Sequence, residues 1–173
     1  MKLKKIIGWS LFIIIAGIIV YYFYPETKLP KGKIVDRIVV LKSKRQLLAY
    51  SNHELLKTYS ISLGRNPVGH KEFEGDKKTP EGIYVINDKN PNSGWHKNLG
   101  ISYPNKQDIK NAKHLGKPTG GDIKIHGMEN GKGYISKFQR WMDWTAGCIA
   151  LTDEEVDELY DAVKIGATIE IKP

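Results

Sequence analysis

The sequence predicts a mainly β domain with a few helices, preceded by one N-terminal transmembrane helix. Residues 6–24 are about 19 consecutive uncharged, mostly apolar positions, enough at ~1.5 Å per residue to cross a ~30 Å hydrocarbon core. Downstream, short runs rich in Val, Ile, Leu and Tyr alternate with polar turns, the pattern of strands. Only the segment opening at Thr152 carries both a helix cap and a sustained helical stripe.

Taken in order, Lys2, Lys4 and Lys5 precede the apolar run, and Tyr21, Tyr22, Phe23 and Tyr24 close it like an interfacial aromatic belt. Residues 1–24 therefore read as a cytoplasmic tip and membrane anchor, with the rest of the chain outside. The same segment could be a cleaved signal peptide, but the run is longer than a usual h-region and no small-x-small cleavage site follows, so a retained anchor is the favoured expectation. Residues 25–33, with Pro25, Pro30 and Gly32, read as a stalk, and residues 34–173 as one domain. Strands are predicted at 34–41, 46–51 and 55–63, joined by polar turns into an antiparallel meander. Residues 64–82 form a long polar stretch before a strand at 83–86, and loops of that length tend to be functional or disordered. Its His70, Glu72, Glu74 and Asp76 lack metal-ligand spacing, so no metal site is expected.

Residues 87–99 read as a second polar loop carrying Trp95 and His96, followed by a short strand at 101–104 and a short helix at 108–115 stopped by Gly116. A strand at 123–126 puts His126 at its end. Thr152 and Glu155 form a capping box, and Val156, Leu159, Tyr160 and Val163 make one apolar stripe. Gly166 is predicted to stop that helix, and residues 167–172 to close the fold as a last strand.

The formal charge is +8, and removing the three lysines ahead of the span leaves about +5 on the exported part, spread without a clustered basic stretch. That argues against a nucleic-acid partner and for attraction to anionic wall polymers or lipid headgroups. Cys148 is the only cysteine, so an exported chain has no internal disulfide to make with it. It lies in Thr145-Ala146-Gly147-Cys148-Ile149-Ala150, 22 positions after His126-Gly127. An unperturbed thiol is only a few per cent thiolate at neutral pH, and a neighbouring imidazole raises its reactivity. A buried structural cysteine is the alternative. A papain-like arrangement is disfavoured because its cysteine precedes its histidine, whereas here His126 comes first.

Four stretches, in order, give the chain a family resemblance: Lys71-x-x-x-Gly75-Asp76-x-x-Thr79-Pro80-Glu81-Gly82-x-Tyr84, Ile101-Ser102-Tyr103-Pro104, Gly121-Asp122-Ile123-Lys124-Ile125-His126-Gly127, and Thr145-x-Gly147-Cys148-Ile149. Across residues 34–171 the chain resembles the L,D-transpeptidase catalytic domain of bacterial cell-wall enzymes. It departs from many members at Ala150, where they carry an arginine credited with substrate contact.

The resemblance implies a β sandwich with a mixed sheet and acyl transfer on peptidoglycan stem peptides, with no metal or organic cofactor. Cys148 would be the nucleophile and His126 its base, oriented by the backbone carbonyl of Gly127, while N–H groups around Gly147 and Cys148 would meet the oxyanion. Tyr134, Trp141 and Trp144 lie between the two catalytic residues, with Gly131 and Gly133 as flexible points. They are candidates for a lid and a stem-peptide groove. Tyr103, in the second matching stretch, and Thr145, two residues before the nucleophile, complete the substrate-binding candidates. The expected location is a single pass of the inner or plasma membrane with the domain on the wall side. A cysteine hydrolase of the wall and a non-catalytic, membrane-tethered wall-binding module are the rival readings, and the oligomeric state stays open.

Overall fold

The computed structural model describes residues 2–173; Met1, at the expected cytoplasmic tip, lies outside them. Helix α1 (Lys2–Phe23) is long and apolar enough to cross a bilayer, which fits a single-pass anchor or a signal sequence. Trp9, Phe12 and Ile13 stand exposed around it, as they would on a helix whose solvent is lipid.

Eight strands follow: β1 (Val35–Leu41), β2 (Gln46–Ser51), β3 (Glu54–Ser60), β4 (Gly82–Ser93), β5 (His96–Ile101), β6 (Lys124–His126), β7 (Ile149–Ala150) and β8 (Val163–Lys172). Helix α2 (Lys106–His114) precedes β6, and α3 (Asp153–Ala162) precedes β8. The strands form one mixed sheet in the order β3-β2-β1-β8-β4-β5-β6-β7. β1 pairs parallel with β8 and β6 parallel with β7, while the other neighbours are antiparallel.

The sheet curls until its two edges meet. Beyond β3, Ser62 exchanges both backbone hydrogen bonds with Ala150 of β7, at 3.1 and 2.9 Å. The Thr145 N–H donates to Leu63 O, and the Arg65 N–H donates to Thr145 O, both at 3.1 Å. One apolar core fills the curl, with Ile38, Leu47, Tyr59, Ile125, Ile149, Leu159 and Ile169 fully buried. β1 is central and buried on both faces, which explains its Ile38-Val39-Val40 run, whereas β2 alternates strictly because one of its faces is partly open.

The meander of β1 to β3 and the capping box of α3 match the sequence reading. Thr152 Oγ1 accepts from the Glu155 N–H at 3.3 Å, and Glu155 accepts from the Thr152 N–H at 3.2 Å. Three expectations are corrected. Residues 87–99 are not a loop: β4 runs on to Ser93 and pairs with β5, and their polar residues face a cavity instead of a core. The strand expected at 101–104 contributes only Ile101, the end of β5. α3 ends at Ala162, because Val163 turns extended and buries its side chain as the first residue of β8; Gly166, at φ +86°, sits inside β8 where its register against β1 shifts.

The segment Gly133–Trp141 coils as 3-10 turns on either side of a break at Ser136. Its Ile135, Phe138 and Trp141 recur every third residue, the 3-10 repeat, a signal readable in the sequence.

Removing the Thr152 hydroxyl leaves the Glu155 N–H unpaired at a buried helix end. Thr152→Ala should cost about 1 kcal/mol and lower the thermal midpoint by a few degrees in a melt of the full chain in detergent.

Candidate active site

The long 64–82 loop is held from within. Asp76 accepts from the backbone N–H groups of Glu72, Phe73 and Lys78 at 2.7, 3.2 and 3.0 Å, and from Lys71 Nζ at 2.8 Å. Burial works against its ionisation, but the Lys71 ammonium and the three N–H donors outweigh it and hold the carboxyl below its ordinary value. Buried Lys42 donates to Gly69 O, Thr79 O and Glu81 Oε1 at 2.6, 2.9 and 2.8 Å, tying the loop to the end of β1. The loop in turn supports the nucleophile turn. A Cβ on Gly147 would fall 2.7 Å from Lys78 O, and Gly147 sits at φ +138°, so both space and backbone conformation require glycine there.

Thr145 locks the same turn. Its Oγ1 accepts from the Gly147 N–H at 3.1 Å and donates to Cys148 O at 2.8 Å, so the hydroxyl is committed to the backbone. Cys148 enters just before β7, and the parallel register of Ile149 with Ile125 sets it beside Lys124. Its Sγ donates to Asp122 O at 3.5 Å. Burial pushes the thiol above its ordinary value, with Asp122 adding to the shift; the Lys124 backbone N–H and the charges of Lys124 and Lys71 oppose it without prevailing.

His126 ends β6, 6 % exposed, with Nδ1 2.7 Å from Gly127 O. A carbonyl can only accept, so Nδ1 carries the proton, and in the neutral imidazole Nε2 is the basic nitrogen. Burial lowers the imidazole below its ordinary value; the bond to Gly127 opposes this and the Lys124 charge adds to it. A Cβ on Gly127 would lie 2.6 Å from Asp153 Oδ1, the atom that accepts the Met128 N–H at 2.7 Å, so the carbonyl that orients His126 rests on the start of α3. Trp95 and Trp144 pack on the imidazole, with ring centroids 5.1 and 5.7 Å away and 5.5 Å from each other. These two indoles cover the imidazole from the cleft side.

Cys148, His126, Thr145 and Trp144 line one open cleft of about 720 Å³. Gly147 lies behind it, under the turn, and Gly127 beneath the imidazole. The other substrate-binding candidates lie elsewhere. Tyr103 is a core residue, 5 % exposed, packed on Tyr84 with its hydroxyl donating to Thr119 O. Tyr134 is 71 % exposed on the 3-10 segment, where its carbonyl accepts from the Tyr22 hydroxyl. Trp141 stacks against Tyr21 on that same segment.

In their place the structure brings Arg65, Trp95, Asn98 and Lys124 to the cleft. Asn98 stands opposite His126 in the β5–β6 ladder, 3 % exposed, with an Oδ1 that lacks a hydrogen-bond partner. Ala150 is fully buried on β7 in register with His126, on the same face of the sheet, but is too short to reach the cleft; the basic side chains that do line it are Arg65, Lys77 and Lys124, against the single acid Asp122. No group of three or more His, Cys, Asp or Glu side chains able to hold a metal ion occurs among the described residues.

The arrangement is that of a thiol and a tautomer-fixed imidazole, a pair able to serve as nucleophile and base, in a cleft that is basic at its rim. The Escherichia coli K12 protein YafK is 29% identical over 133 residues, which cover 73% of this chain and 46% of YafK. The crystal structure of the helical cell shape determining protein Pgp2 from Campylobacter jejuni superposes with a TM-score of 0.60 at 25% identity, covering 82% of this chain and 48% of Pgp2. An L,D-transpeptidase from Mycobacterium smegmatis shares the fold at a TM-score of 0.53 and 15% identity, over 79% of this chain and 58% of its own. The chain thus spans about half the length of YafK and Pgp2. The YkuD family, the L,D-transpeptidase catalytic domain, matches residues 35–171, and the chain belongs to that family.

Proposed function

We propose that the domain, residues 34–173, is a cell-wall L,D-transpeptidase, held at the membrane by α1 and working on the extracytoplasmic side. The observation that carries this reading is the bond between His126 Nδ1 and Gly127 O, which leaves Nε2 as proton acceptor in a cleft shared with Cys148. A peptidoglycan tetrapeptide stem places the carbonyl of its third, L-configured residue at Cys148. The thiol leaves its resting bond to Asp122 O and passes its proton to His126 Nε2, and Sγ attacks the carbonyl carbon.

The Thr145 hydroxyl already occupies the Gly147 N–H, so the oxyanion donor at the nucleophile is the Cys148 N–H. Collapse of the tetrahedral adduct breaks the C–N bond, and His126 returns the proton to the departing D-alanine amine, leaving a thioester on Cys148. An amine of a second stem then attacks the thioester, its proton travels through His126 to the thiol, and a new amide joins the stems. No step uses a metal or an organic cofactor.

Starting from a neutral thiol and a neutral imidazole suits this order of events. The pair stays uncharged until substrate arrives, and the charges created by proton transfer appear only next to the developing oxyanion.

Incubated with purified disaccharide-tetrapeptides, the full chain should release D-alanine and form a dimer, with a Cys148-linked acyl adduct visible by intact mass. Cys148→Ala should abolish all three, and His126→Ala should slow turnover by roughly 10²–10⁴-fold. Tripeptide without dimer would establish water as the acceptor and make the domain a hydrolase. No Cys148-dependent product with any stem would sink the catalytic reading in favour of the binding module.

The raised thiol value has its own signature. Below that value most of Cys148 is protonated, so at pH 8 iodoacetamide should alkylate it more slowly in the folded chain than in the denatured chain, and the rate should keep rising into more alkaline solution. Lys124→Gln removes a charge that favours the thiolate and should move the profile further up.

Asn98 separates binding from stability. A buried oxygen without a donor costs the free protein, so Asn98→Leu should leave the thermal midpoint unchanged or higher. It should raise KM about tenfold if a substrate N–H supplies the missing bond.

A further inference from the structure

The last turn of α1 is bound to the catalytic domain through the 3-10 segment Gly133–Trp141. The Tyr21 hydroxyl donates to Lys137 O at 3.2 Å and the Tyr22 hydroxyl to Tyr134 O at 2.8 Å. The Tyr21 ring lies 6.1 Å from Phe138 and 5.9 Å from Trp141, and Tyr22 lies 5.3 Å from Phe138, centroid to centroid. Lys137 Nζ donates to the carbonyls of Tyr21 and Tyr24, capping the C-terminal end of the helix with a cation. Glu26, just past the helix, pairs with Lys137 at 3.2 Å and Arg140 at 2.8 Å, and Arg140 continues to buried Glu155 at 2.8 Å.

These contacts fix depth as well as orientation. At ~1.5 Å per residue, Tyr21 and Tyr22 lie within about 3 Å, along the helix axis, of its last residue, Phe23. If α1 spans the bilayer, as the proposed function holds, both tyrosines lie at the outer headgroup level, and so do the side chains stacked on them. On that same segment and just after it, Tyr134, Trp141 and Met142 are 71 %, 62 % and 69 % exposed. Three large side chains of the kinds that favour the membrane interface thus stand uncovered beside the point where the anchor emerges. Exposed Lys28 and Lys31 follow a few residues on, with the charge that anionic headgroups attract.

We propose that residues 133–142 are a second membrane contact, a lipid-seated strap that inserts Tyr134, Trp141 and Met142 among anionic headgroups next to the exit of α1. Continuity with the anchor selects lipid as the occupant: a protein partner covering these side chains would have to sit at headgroup depth against α1. The strap also reaches the catalytic cleft. The Trp144 Nε1–H donates to Gln139 Oε1 at 3.1 Å and the Ser62 hydroxyl to Gln139 O at 2.7 Å, so the residue that packs on His126 is held by the segment that rests on lipid. The height and tilt of the cleft above the bilayer follow from this seat.

The test uses the full chain in phosphatidylethanolamine–phosphatidylglycerol bilayers, in a Cys148→Ala background so that each added cysteine is the only one. Spin labels are placed at Met142→Cys and, within α1, at Ile13→Cys, and their relaxation by oxygen is compared with that by a water-soluble nickel chelate. The Ile13 label should report the bilayer interior, and the Met142 label should be relaxed several-fold more by oxygen than by the chelate. An Ile13 label in the interior with a Met142 label relaxed mainly by the chelate would leave the anchor standing and overturn the strap. An Ile13 label that the chelate reaches freely would overturn both.

Discussion

The gathering of Cys148 and His126 into one cleft depends on the meeting of the two edges of the sheet. β7 is two residues long, and its parallel partner β6 only three, too little pairing to fix a nucleophile. What holds Cys148 is the second set of bonds, from Ser62 to Ala150 and from Leu63 and Arg65 to Thr145, which clasps the cysteine turn between the far edge of the sheet and β6. The Asp143 carboxylate reinforces the clasp, accepting the Leu63 N–H at 2.9 Å and pairing with the Arg45 guanidinium at 2.7 Å. The 64–82 loop then presses its carbonyls up to the turn from below, which is why Gly147 has no room for a side chain. A parallel pair needs a long crossover, and here the crossover carries the strap and Trp144 back over the site. One topological fact thus sets Cys148 and brings the indole wall to His126.

The electrostatics follow from the same closure. Burial of His126 against two indoles disfavours imidazolium, and burial of Cys148 disfavours thiolate, so the resting dyad holds its proton on sulfur. The orienting partner of His126 is a neutral carbonyl, and the Asp122 charge adds to the disfavour of thiolate at Cys148. Such a site exposes little thiolate to adventitious electrophiles, and in the proposed reaction the ion pair would gain its stabilisation from the oxyanion that accompanies it. That reaction would also require the thiol to leave Asp122 O for His126.

What the sequence made legible was whatever is local or compositional. His126 at a strand end, Cys148 after a glycine turn and the capping box at Thr152 are each written in a few adjacent residues. The β4–β5 hairpin was obscured because Asn90, Asn92, Ser93 and Asn98 line a cleft, so strands that build the site carry the polarity of a loop. Trp95 belongs to the wall of His126 through the tight turn of that hairpin, where Trp95 O accepts the Gly127 N–H at 3.2 Å, a contact between residues 32 apart that no local pattern announces. Tyr103 and Tyr134 show the converse, since an aromatic in a suggestive stretch says nothing about which side of a strand or segment it faces. The departure at Ala150 also reads differently in three dimensions. The position is buried beside His126 in the sheet, filled by a methyl group, and basic character reaches the cleft from Arg65 on one edge and Lys124 on the other.

The stalk changes most between sequence and structure. Nine residues with two prolines suggest a tether, and a free tether of that length would let the domain range over about 30 Å. In the structure Glu26 is engaged by Lys137 and Arg140, while Leu29 packs against the core and its N–H donates to Glu158 at 3.3 Å. Glu158 also receives Lys57 at 2.6 Å, so this anchorage reaches the sheet through β3. Ordering these residues costs backbone entropy that a tether would keep, and the ion pairs and ring contacts at both ends are what offset it. A chain that holds its linker down in this way loses reach and gains a fixed presentation of the cleft relative to α1.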